Sequence, residues 1–138
     1  MAETRAVNQG PGRVLLVVYV IFAISAGARA LYQIVAQFER APEAYLLSAF
    51  AAAVYLVAAV AIGRATPAST RVAVVAVVVE LLGVLGVGLL SVLRPEDFPD
   101  PTVWSDFGQG YGFVPVLLPI LGLLWLRRSR PTTQLPAG

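Results

Sequence analysis

The sequence predicts an all-α integral membrane protein, a bundle of four transmembrane helices with antiparallel neighbours. Three observations carry that expectation. The 138-residue chain is 58% hydrophobic and 13% charged, whereas ordinary soluble domains carry about a quarter charged residues. Apolar runs long enough to cross a bilayer core recur along it. Arginine is divided unevenly between alternate connections.

Taken in order, residues 1–13 are polar, contain Gly and Pro, and read as a cytoplasmic tail. The first span is residues 14–36. Arg13, the apolar core and the run Ser25-Ala26-Gly27-Ala28 resemble a signal peptide with its cleavage site, but the apolar pattern resumes beyond Arg29, which favours a retained span. After a short polar turn the second span runs over 44–63. Residues 64–71, RATPASTR, read as a loop with Pro67 as breaker.

The third span, 72–93, is an unbroken apolar run but for Glu80. Its 22 residues reach about 33 Å as a helix, enough to cross. The connection that follows, RPEDFPDPT, holds three prolines and excludes a regular helix. The fourth span is less plain, because its apolar part over 113–126 reaches only about 21 Å. Extended back to Trp104 it becomes 104–126. Trp104 and Trp125 then stand about 32 Å apart, as two interfacial aromatic belts would. Residues 127–138 form a second cytoplasmic tail.

Orientation follows from the arginines. Arg5, Arg13, Arg64, Arg71, Arg127, Arg128 and Arg130 fall in the two tails and the 64–71 loop, against Arg40 and Arg94 in the other connections. The positive-inside bias therefore expects both termini in the cytoplasm. The acids Glu39, Glu43, Glu96, Asp97, Asp100 and Asp106 fall on the other side.

Chemistry is narrowed by what is missing. With no Cys and no His, thiolate nucleophiles, His-based triads and His- or Cys-ligated metals are excluded, so neither an enzyme nor a cofactor or metal site is expected. Every basic residue is Arg, which with the wealth of Ala, Val, Gly and Pro reads as the coding bias of a GC-rich genome and suggests a bacterial cytoplasmic membrane. The small positive balance is placed by topology and is no nucleic-acid patch. The acidic 94–101 stretch lacks any recognised cation-loop spacing and reads as solvated. Gly108, Gly110 and Gly112 neither follow a strand nor end in GKS/T, so they favour close helix packing over phosphate binding. Pro115 and Pro119, one turn apart, are expected to kink the fourth span.

Glu80 is the sharpest signal. An ionisable group inside a span marks a functional site by default. Its helical neighbours Ala73, Ala76 and Gly83 are small, which lets another helix approach that face. Tyr55, eight residues from the end of span two, matches Glu80's depth and is its expected partner. Arg29 carries a polar stripe on span one with Ser25, Tyr32 and Gln33. It is offset from Glu80 by about 10 Å, which leaves Asp106 or Gln109 on span four as rival partners.

Two functions follow. The first is a non-catalytic accessory, assembly or interaction subunit packing in the bilayer against a larger membrane protein. The alternative is a small dimeric proton- or cation-coupled transporter or channel, with Glu80 as its carrier group and Tyr55 and Arg29 orienting it.

Overall fold

The structure, a computed structural model, describes residues 8–99 and 101–128. Arg5, Asp100 and Arg130, each used above to argue orientation, lie outside the described residues. Every regular element among the described residues is helical: α1 (Pro11–Gln37), α2 (Pro42–Arg64), α3 (Pro67–Leu93) and α4 (Val114–Arg128), with short 3₁₀ turns at Phe38–Arg40 and Pro95–Asp97 and a longer 3₁₀ segment, Ser105–Tyr111. Three helices are long and apolar enough to cross a membrane, or four if the bent pair ending in α4 is one span.

The first three helices begin on proline at their first turn. A first-turn N–H has no partner inside the helix, so Pro loses nothing there and its fixed φ suits the start. Pro67, expected to break the chain, therefore begins a helix. Thr66 supports it with a capping box: its hydroxyl accepts from Ser69 N at 3.0 Å, and Ser69 Oγ accepts from Thr66 N at 2.9 Å. The expected eight-residue loop shrinks to Ala65 and Thr66, with Ala65 in the left-handed region at φ 54°. α1 likewise starts at Pro11, so Arg13 lies inside the helix.

The larger difference lies in the fourth segment. A continuous helix over 104–126 does not form. The 3₁₀ segment and α4 meet at 97°. Asp106, Phe107 and Gly108 have φ of 52°, 61° and 83°, and Gly112 and Phe113 have 65° and 61°. Such angles cannot continue a right-handed helix. Of the three glycines read as packing residues, Gly108 and Gly112 thus help reverse the chain. Pro115 sits buried in the first turn of α4 against Gly108, where a Cβ would collide with its ring. The bend comes before the proline pair rather than at it.

Each helix packs on the next in sequence, and α1 barely touches α4. The core combines small residues with a few large ones: Ala51, Ala58 and Ala73 are fully buried, as are Tyr19, Tyr55, Ile62 and Val77. Trp104 is buried too. It is a core residue and not an interfacial belt.

Candidate functional site

Glu80 stands at the centre of α3, thirteen residues from each end, hence about 20 Å from either. Because α3 begins at Pro67, this is deeper than the apolar run suggested. The side chain has 0% exposure. Tyr19 Oη donates to its Oε1 at 2.6 Å. Oε2, also buried, has no hydrogen-bond partner among the described residues. That is an uncommon state, since buried polar atoms are nearly always paired.

Tyr55 is buried beside this pair, and its hydroxyl oxygen accepts from Trp104 Nε1 at 2.9 Å. The bond expected from Tyr55 to Glu80 comes from Tyr19 instead. The aromatic rings interlock around that point. Tyr55 lies 6.2 Å from Tyr19, 5.6 Å from Phe22 and 6.4 Å from Trp104 between centroids, the last edge-on. These are ordinary tilted and T-shaped separations, each adding about 0.5–1.5 kcal/mol to the area buried. α1, α2, α3 and the residues before the 3₁₀ segment all converge on one polar–aromatic cluster.

The small residues near Glu80 divide by role. Ala73 and Ala76 are buried in the helix-facing core. Gly83 instead lies under the Trp104 indole, which occupies the place a Cβ would need. Gly122 of α4 faces Tyr19 and Val77, which a Cβ there would meet at ordinary contact distance, closing the cluster from the other side. Trp104 is held from behind as well: its N–H donates to Thr102 Oγ1 at 3.1 Å, and Thr102 N donates to Ser105 Oγ at 2.8 Å.

Arg29 is not part of this cluster. It is exposed, and its Nη1 donates to Tyr111 Oη at 3.3 Å. Neither rival partner reaches it. Asp106 is anchored through its backbone, whose N–H donates to Ser91 Oγ at 2.8 Å, while Ser91 donates to Gly88 O at 2.8 Å. Gln109 is exposed on the 3₁₀ segment and contributes its carbonyl to the turn at Gly112. The acidic connection folds on itself, Arg94 pairing with Asp97 at 2.9 Å at the surface.

Tyr19 and Trp104 are the site residues that sequence reasoning missed. For Tyr19 a signal existed: the buried positions of α1 include Gly12, Leu15, Tyr19, Ala26, Ala30 and Gln33. Those are mostly small or polar residues at three- and four-residue spacing, the reverse of the pattern in water. For Trp104 there was none, since its insertion depends on the chain reversal. Chemically, the cluster offers one carboxyl with a free oxygen, two phenols and an indole. It can hold a proton or fasten helices. Comparison with protein-family models, curated proteins and solved structures found no match for this chain.

Proposed function

We propose that the protein is a multi-pass membrane protein, with both termini cytoplasmic in a bacterial cell membrane, that serves as a non-catalytic accessory or assembly subunit of a larger membrane complex. One observation carries this reading: among the described residues, the only carboxyl at the centre of a long apolar helix has no exposed atom and is hydrogen-bonded to a neighbouring helix. A carrier group must be reached by what it carries, whereas a fastening group is best sealed. The alternation of arginines between connections supports the orientation. The test is purification in mild detergent at native expression level. A stoichiometric larger partner is expected, and a protein that elutes alone under all mild conditions would sink the reading.

A second reading rests on the unpaired Glu80 Oε2 and the broken fourth segment. Both are features of carriers that load a proton or cation at mid-membrane. Reconstitution in liposomes decides it. Proton or cation flux that is present in wild type and lost in Glu80→Gln would establish transport, and no flux in either would remove it.

A further inference from the structure

The surfaces that α2, α3 and α4 present outward are purely apolar between their ends. α2 shows Leu46, Phe50, Leu56, Val57 and Val60. α3 shows, among others, Val75, Val78, Leu82, Leu85 and Leu89, and α4 shows Leu117, Ile120, Leu121 and Leu124. Lipid satisfies such faces fully. α1 differs. It is the least buried of the three long helices, with 22% of its most apolar window inside the fold against 50% for α2 and 39% for α3. Its exposed surface also carries Ser25, Arg29 and Tyr32. At spacings of four and three residues these lie along one line of the helix.

Arg29 decides what that line is for. It lies eight residues before Gln37, about 12 Å along the helix. With 27 residues, α1 is about 40 Å long and overhangs a 30 Å hydrocarbon core by about 5 Å at each end, which leaves the Arg29 backbone about 7 Å inside the core. A guanidinium there is costly unless it rises to the interface or is paired. Rising is opposed on two counts. Helical side chains lean toward the N-terminus, here away from the nearer surface. The bond to Tyr111 also holds the guanidinium at the Tyr111 level. One neutral hydroxyl leaves most of its five donors unused and its charge uncompensated.

The geometry points to a partner transmembrane helix that carries an Asp or Glu in the third of the bilayer nearest the Gln37 end of α1 and docks along the Ser25–Arg29–Tyr32 line. A carboxylate matches the guanidinium fork. A helix can present it at any depth, whereas a lipid phosphate lies nearer the helix ends. A second copy of this chain does not supply it. Among the described residues Glu80 is sealed, Asp106 belongs to the level of Ser91 two residues from the end of α3, Glu43 sits in the first turn of α2, and the other acids sit in the connections. This inference rests on the accessory-subunit reading and names the chemistry of its partner.

The experiment uses the full chain, donor-labelled in liposomes, and an acceptor-labelled Leu/Ala-rich transmembrane peptide with one Glu in its outer third. The same peptide with Gln is the control. Wild type should bind the Glu peptide about tenfold more tightly than the Gln peptide, as expected of a desolvated charge-assisted pair. Arg29→Leu should abolish that preference and Arg29→Lys should retain most of it. Arg29 bonds only at the surface, so these variants are expected to fold, which Trp104 emission in a Trp125→Phe background checks. Equal binding of the two peptides to wild type, or a Glu preference that survives Arg29→Leu, would overturn the proposal. Failure here is separable from failure of the accessory reading. A native complex that persists unchanged in Arg29→Leu rejects this docking mode alone, whereas absence of any complex in wild type rejects the reading beneath it.

Discussion

At the residue scale, the Tyr19–Glu80 pair is the structural decision of the core. Interhelical hydrogen bonds in membranes average about 0.6 kcal/mol and reach about 1.7. Stranding one partner costs more than the bond is worth, on the order of 1–3 kcal/mol, while removing both can be nearly neutral. Glu80→Leu, which leaves the buried Tyr19 hydroxyl alone, should therefore lower stability in detergent by about 1–3 kcal/mol. Adding Tyr19→Phe should recover most of that loss. Denaturant titration of the two single variants and the double one checks it, and strictly additive losses would contradict the pairing. Gly83 gives an independent check. Valine there occupies the indole's place, so Gly83→Val in a Trp125→Phe background should red-shift Trp104 emission as the ring is expelled. Unchanged emission would mean that Trp104 does not sit on α3.

At the scale of elements, helix starts and the chain reversal differ in how far the sequence displays them. Pro67 was visible in the sequence, but a proline that breaks one helix and one that begins the next look alike until the cap is identified. Here the cap is Thr66 with Ser69 at its third position, in place of the commoner Glu or Gln. The reversal at 105–113 was hidden for a different reason. Its apolar and aromatic residues fit a span from Trp104 to Trp125, and only backbone angles exclude it. Two non-glycine residues, Asp106 and Phe107, adopt left-handed conformations in succession, at a cost of about 1–2 kcal/mol each. Burying Trp104 against Gly83 and Phe107 against Gly88 offsets that strain. Phe113, also left-handed and partly exposed, has less to offset it. Phe113→Gly should then stabilise the fold by about 1 kcal/mol, read as a raised midpoint in thermal denaturation. A lowered midpoint would argue against a left-handed turn at this position.

At the scale of the whole molecule, the arrangement is a chain of neighbours with α1 on one flank and α4 reaching the cluster through Gly122. The natural absence of cysteine makes orientation directly testable. With both termini cytoplasmic, Glu96→Cys should react with an impermeant maleimide in intact cells. Asn8→Cys should react only after permeabilisation. Equal reactivity of the two would mean mixed insertion, and the reverse pattern an inverted one.

Composition and hydropathy by themselves determined that this is an apolar helical protein with three helices plainly long and apolar enough to cross a membrane, because burial in lipid demands long runs whose backbone bonds close internally. They also singled out Glu80, because one charge in such a run has no background to hide in. Which residue meets Glu80 was decided only by tertiary structure. Tyr55 and Tyr19 are both phenols buried in the core, and only the packing of the helices brings Tyr19 Oη within 2.6 Å of Glu80 while Trp104 donates to the Tyr55 hydroxyl. Trp104 can do so only because the chain reverses at 105–113, a contest between local strain and burial that no periodicity records.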